Sequence, residues 1–490
     1  MVHGEDEGEA GVPAAASPAA KVSFLTLTSM VVGSMVGAGV FSLPQRFAQA
    51  SGVVGTVISW VIAGFGMLML AFVFQTLAVR RPDLDAGVYA YAKAGFGEYL
   101  GFFAAFGYWA SACVGNVTYW VLIMSTVGQV APALGNGDTV PALLLASVGL
   151  WGFYLLIRRG VKEATAINRI VTAAKLVPIL VFVLLALFQL RPAVFADNIQ
   201  GAAHVGPLFQ QIRGTMLVTV FVFIGVEGAS VYSRHARRRE DVGRATLLGF
   251  LSVFAVFASV TVVSYGILPM ERIARLHQPS MAGVLEAAVG TWGKAFVSVG
   301  LIISVLGAYL AWSLMAAEVL FVAAKDHDMP RFLSRVSRAD VPLPALLMTT
   351  CLSQVMLVVT LFSDDAFDFA LDLTSALVLI PYLLAAAYCV RHTGGLRHTG
   401  GPRRVRTGAR RDLIIAVLAT VYTVFLLYAA GLKFVLVSFI LYAPATVLFA
   451  MGRREQGRRV FSPPEAALFA VSVVGAVLGV LALTLSWIHL

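Results

Sequence analysis

The chain has 490 residues, of which 59% are hydrophobic and only 13% charged, with a mean hydropathy of +0.84. That composition excludes a soluble globular protein of this length and describes a polytopic membrane protein. The formal net charge of +10 does not signal nucleic acid, because the basic residues fall in alternate connecting segments instead of one patch.

Residues 1–20 are acidic and rich in Ala, Pro and Gly, with no basic leader region or cleavage motif, and read as a disordered cytoplasmic tail. Apolar runs long enough to cross the bilayer, at about 20 residues each, then follow near 23–48, 53–79, 96–130, 140–157, 165–190, 207–233, 244–269, 284–323, 343–362, 366–390, 412–431, 433–451 and 464–488. With these thirteen segments and a cytoplasmic N-terminus, 27 Lys and Arg residues lie on the inner side and 7 on the outer, among them Arg46. This positive-inside bias sets the orientation, and runs such as Arg237-Arg238-Arg239 read as topology determinants.

Segment 1 carries Gly33-Ser34-Met35-Val36-Gly37-Ala38-Gly39 in its middle, where a simple anchor would be most helical. Unwound backbone at bilayer depth is tolerated only where protein or a water-filled cavity surrounds it. Segment 6 contains a matching interruption, Phe221 to Ser230, with Glu227 at membrane depth. Segments 1 and 6 are five apart, and paired broken helices at corresponding positions of two inverted five-helix repeats point to a substrate site. Freed N–H groups of the first break can hold a carboxylate and freed carbonyls of the second an ammonium, groups that an α-amino acid presents together. Close helix packing through small residues is the other reading of Gly33, Gly37 and Gly39.

Other polar residues lie inside apolar segments. Lys175 in segment 5 needs a partner at that depth unless it snorkels to the interface. Glu318 lies nine residues beyond Tyr309 in segment 8, roughly 13 Å nearer the cytoplasm, which suits a gate or route. Asp372 in segment 10 reads as a group near the outer side. Cys113, Cys351 and Cys389 are odd in number and offer no disulfide framework or metal spacing. An intramembrane enzyme is disfavoured, since there is no GxSxG, no HExxH and no His pair within a segment. No metal or cofactor is called for.

The stretches VVGSMVGAGVFSLPQ, LAFVFQTLAVRRPDLDAGVYAYAKAGFGEYLGF, GYW followed by GNV, INRIVTAAKLVPI, VFIGVEGAS and AAKDHDMP keep one register over roughly residues 23 to 392. In these the chain resembles the amino acid, polyamine and organocation superfamily, and is most similar to its basic amino acid antiporters of the arginine/ornithine type. The resemblance implies a leucine-transporter-like, all-α membrane fold of two inverted five-helix repeats, with discontinuous helices 1 and 6 and extra C-terminal helices. It divides the chain into the tail, a twelve-helix core at 21–452, and a cytoplasmic loop with a thirteenth helix at 453–490. It implies a cell-membrane location, cationic amino acids as partners and a homodimer as a candidate assembly.

The resemblance also implies a site. Met35, Val36, Gly37, Ala38 and Gly39 match the unwound stretch that holds the substrate's carboxylate and amine. Phe221, Ile224 and Glu227 match the segment-6 wall, with Phe221 standing where many relatives have Trp. Tyr108, Ser111, Ala112 and Asn116 match a wall in segment 3, and Tyr309 an aromatic over the aliphatic part of the substrate. A structural carboxylate is the other reading of Glu227, an interhelical hydrogen bond that of Asn116, and packing that of Tyr309. Lys175 resembles the replacement for the sodium ion of coupled relatives, so sodium independence is expected. The implied activity is exchange of L-arginine inward for L-ornithine outward. Uptake of lysine or another cationic amino acid, alone or with a proton, and arginine/agmatine exchange are the alternatives; a channel is a further one.

Overall fold

The computed structural model describes residues 24–84, 87–160, 164–201, 205–227, 239–398 and 403–488. The expected tail at 1–20 and the last three residues of the segment-6 interruption, Gly228 to Ser230, lie outside them. The described protein is all-helical. Its helices are α1 (Phe24–Met35), α2 (Leu43–Ala50), α3 (Val53–Arg80), α4 (Val88–Phe96), α5 (Glu98–Gly128), α6 (Val140–Arg158), α7 (Ala164–Phe188), α8 (Pro192–Asp197) and α9 (Leu208–Phe223). They continue with α10 (Arg239–Ser264), α11 (Met270–Ala274), α12 (Ser280–Val289), α13 (Thr291–Lys325), α14 (Leu343–Val359), α15 (Ala366–His398), α16 (Arg403–Glu455) and α17 (Pro463–Thr484).

Among the described residues nine helices are long and apolar enough to cross a membrane, ten when the bent pair α1 and α2 counts as one span. The expected segments 412–431 and 433–451 fall on the two halves of α16, which parts at Gly431 (φ 74°). Segment 8 is not one helix from 284: Gly290 (φ 91°) separates the end of α12 from the 35-residue α13. Only glycine enters that left-handed region without strain. At the start of α17, Ser462 and Glu465 form a reciprocal capping box that satisfies the first N–H groups.

Helix α5 is the axis. Every residue from Tyr99 to Thr126 except Leu100 is buried, and α4, α13, α14 and α15 pack around it. Trp109 on α5 donates to Thr349 on α14 at 2.9 Å, and Trp60 on α3 to Thr261 on α10 at 3.0 Å. With water absent from the bilayer core, such hydrogen bonds and close packing hold helices together. On the basic side, short α4 is tied to the end of α13: Lys93 pairs with Asp328 at 2.6 Å, and Tyr89 donates to Asp326 at 2.6 Å. This framework leaves α1, α2 and α9 converging beside the middle of α5.

Candidate functional site

Helix α1 ends at Met35, and the last N–H of its ladder is that of Val36, which donates to Val32 O at 3.0 Å. The chain then turns through Gly37 and Ala38 into a 3-10 turn at Gly39–Ser42 and α2, so that the two halves of the segment meet at a 47° bend. In an unbroken helix the Gly33 carbonyl would accept from the Gly37 N–H. Here it accepts from Lys175 Nζ, 3.2 Å away on α7. Lys175 is buried and forms no ion pair among the described residues, so its charge faces the negative end of a half-helix.

The second break repeats the pattern. Helix α9 stops at Phe223, and Gly225 has φ 107°. The Val226 N–H, which would have gone to Val222 O, goes to Phe223 O at 3.1 Å, and the Val222 carbonyl is left without that partner. Gly225 is required twice over, since a Cβ there would also lie 2.4 Å from Ser34 O. Ser34 Oγ donates to the Gly225 carbonyl at 3.0 Å, so the breaks touch.

Glu227 is buried just beyond, at 3% exposure. Its Oε2 accepts from the Gly225 N–H at 3.0 Å and from Tyr382 Oη at 2.5 Å, and its Oε1 accepts from Tyr108 Oη at 2.6 Å. One carboxylate thus joins the second break to α5 and α15. Several donors offset the cost of burying this group, and removing it disturbs every element it joins.

Between the breaks lies a narrow crevice. Of the residues singled out from the sequence, Met35, Gly37, Ala38, Gly39, Ser111, Ala112, Phe221 and Ile224 line it. Among the described residues, no acceptor takes the backbone N–H of Gly37, Ala38 or Gly39. An unmade hydrogen bond at a buried group costs about 1–3 kcal/mol, so these three groups favour an anionic guest. Gly39 has a tighter constraint than access to its backbone: a Cβ would sit 2.6 Å from Val222 and 2.7 Å from Phe221.

Val36, Tyr108, Asn116, Glu227 and Tyr309 lie outside the lining. Asn116 donates to Ser313 on α13 at 3.2 Å, while its buried Oδ1 has no partner among the described residues. Tyr309 turns edge-on to Trp120 and Phe153, and the aromatic of α13 that reaches the crevice is Trp312, one turn on. Tyr119 and Thr374 also line it. Both Tyr309 and Trp312 stand in LGAYLAW, but the rotation of α13 about its axis decides which one faces inward, and the apolar pattern of a wholly hydrophobic helix does not encode that rotation. Glu318 lies elsewhere, in a hollow with Asp340, Val341 and Pro342.

On the opposite side from α4, Arg46 of α2 reaches two carboxylates of α15, Asp368 at 2.5 Å and Asp372 at 2.7 Å. Asp372 therefore has a protein partner. The sequence places both groups near the outer side but gives no sign that they pair.

The family described as "Amino acid permease" matches residues 22–450. An arginine/ornithine antiporter of Pseudomonas aeruginosa is 48% identical over 467 residues, covering 93% of this chain and 96% of that protein. An L-lysine transport protein of Corynebacterium glutamicum is 38% identical and covers 97% of each chain. An arginine/agmatine antiporter of Chlamydia pneumoniae is 34% identical, over 94% of this chain and 95% of its own length.

Proposed function

Because this chain belongs to the amino acid permease family, a family of membrane transporters and not of enzymes, we propose that it exchanges cationic amino acids, taking L-arginine in and sending L-ornithine out. The observation that carries this reading is the trio of N–H groups at Gly37, Ala38 and Gly39 that no acceptor takes among the described residues, in residues that line the crevice together with Val222. The N–H groups donate to the substrate's carboxylate and the Val222 carbonyl accepts from its ammonium. Met35, Ser111, Ala112, Phe221, Ile224 and Trp312 close around its aliphatic part. The cationic side chain follows from the relatives' substrates, and the Asn116 Oδ1 of α5, which has no donor among the described residues, is the acceptor we assign to it.

Lys175 performs the task that a sodium ion performs in coupled relatives of this fold, tying the end of the first half-helix to α7, so the cycle runs without sodium. Exchange of equal charges moves no net charge. Obligate exchange requires that the empty carrier reorient slowly and that substrate lower that barrier by binding the intermediate state more strongly. Segments 1, 2, 6 and 7 rock against 3, 4, 8 and 9, with the Arg46 pairs opening on the outer side and the α4 to α13 ties on the inner. The chain lies in the cell membrane with its N-terminus cytoplasmic, as the positive-inside bias favours, and its twelve-helix core is followed by a thirteenth helix.

The lysine transport relative supports a second reading in which lysine is the substrate. Counterflow in proteoliposomes separates the two. Vesicles preloaded with ornithine should take up labelled arginine many times faster than empty ones. Equal rates would refute exchange, and acceleration only by internal lysine or agmatine would reassign the pair.

A further inference from the structure

Where α3, α10 and α16 reach the basic side of the protein, they leave a hollow of about 1050 Å3 that is separate from the crevice. Its walls change character with depth. Phe72, Leu247 and Ile415 line the part nearer the bilayer core, and Val79, Arg80, Arg244, Arg411 and Asp412 line the rim. From Phe72 to Arg80 is eight residues of α3, roughly 12 Å along its axis, which is the span from acyl chains to headgroups.

The charges at the rim are unbalanced. Arg80 pairs with Asp412, but Arg244 and Arg411 form no ion pair or hydrogen bond among the described residues, so among these residues three cations face one anion. Gln75 and Thr76 line the hollow too, and neither side chain has a hydrogen-bond partner among the described residues. Close packing shapes the opening: the Gln75 amide lies against the backbone of α10 at Gly243, where an added Cβ would meet its Nε2 at 2.2 Å.

We propose that this hollow binds the phosphate headgroup of an anionic phospholipid of the cytoplasmic leaflet. Arg244 and Arg411 hold the phosphate, Gln75 and Thr76 donate to headgroup oxygens, and the apolar wall carries the first carbons of an acyl chain. Basic pockets between transmembrane helices on the cytoplasmic side suit such lipids, because their cations attract the anionic headgroups of that leaflet. The lipid would wedge between α3 and α10, which belong to the rocking segments, and α16, which does not. The proposal is independent of which amino acid is carried.

The test is native mass spectrometry of the full chain in detergent, titrated with phosphatidylglycerol or with phosphatidylcholine of the same acyl chains. The intact protein should retain phosphatidylglycerol preferentially. The Arg244→Gln/Arg411→Gln variant should lose at least about fivefold in retention, the effect of roughly one cation near a charged leaflet, while Arg454→Gln/Arg459→Gln on the same face should not. Ile415→Trp, which puts a bulky ring on the apolar wall where the acyl chain would lie and keeps every charge, should lose retention as well and decides the matter if the double variant aggregates. Equal loss in both arginine variants, equal retention of phosphatidylcholine, undiminished retention in Ile415→Trp, or displacement of lipid by millimolar inorganic phosphate would each overturn it.

Discussion

Lys175 stands in for Gly37: its ammonium takes the Gly33 carbonyl, at 3.2 Å, that a continuous helix would have bonded to the Gly37 N–H. The same contact thus fills the broken end of α1 and frees a donor for the crevice.

Replacing Lys175 with Ala strands that carbonyl at a cost of about 1–3 kcal/mol. Exchange should slow by roughly tenfold or more, while the protein still elutes as a single folded species. Proteoliposome uptake at undiminished rate would return the lysine to a snorkelling role.

Gly39 and Gly37 should answer differently to the same change. At Gly39 an added methyl meets Val222 and Phe221 at 2.6 and 2.7 Å, and at Gly37 it meets only Tyr119 Oη at 3.3 Å. Overpacking costs typically about 1–3 kcal/mol, so Gly39→Ala should abolish most substrate binding and Gly37→Ala should keep the greater part of it. Thermal stabilisation by arginine reads this directly, because ligand binding to the folded state raises apparent stability. Equal tolerance at both positions would argue that α1 and α9 are not packed as closely as described.

Glu227→Gln keeps the shape of the side chain and most of its contacts, since the amide oxygen can face Gly225 and Tyr382 while the hydroxyl of Tyr108 rotates. What it removes is charge. We expect weaker binding of cationic substrates or a flattened pH profile of exchange, measured between acid and neutral pH. An unchanged profile together with unchanged affinity would leave Glu227 as a purely structural carboxylate.

Arg46→Gln leaves Asp368 and Asp372 facing each other without their cation, in a setting where each partner is mostly buried. Breaking a buried pair from one side costs about 3–5 kcal/mol. The melting temperature should fall by several degrees, and Asp372→Asn should cost less, because Asp368 still holds the arginine. A milder effect for Arg46→Gln than for Asp372→Asn would contradict the shared-cation geometry.

The sequence announces the two breaks clearly, because glycine clusters at membrane depth conflict with helix continuity, and the structure brings Ser34 and Gly225 into contact at that point. Lys175 was equally visible as a cation in need of a partner, although its partner, a main-chain carbonyl, carries no signature in residue type. Trp312, Tyr119 and the Arg46 pairs were hidden for a different reason. Helices that are apolar all round give no moment from which to read their rotation, and pairs far apart in the chain, such as Arg46 and Asp372, are joined only by the packing of α2 on α15. The family resemblance implies Ser111, Phe221 and Tyr309; the first two line the crevice, and on α13 the lining residue is Trp312.

The unaccepted N–H groups of Gly37 to Gly39 have a further consequence for coupling. A carrier that closes with nothing inside must carry those groups through a dry, occluded state, whereas one closing on an amino acid carries them satisfied. Tight one-for-one turnover would then originate in the main chain, and the side chains around it would be free to change the cargo without making the transporter leak.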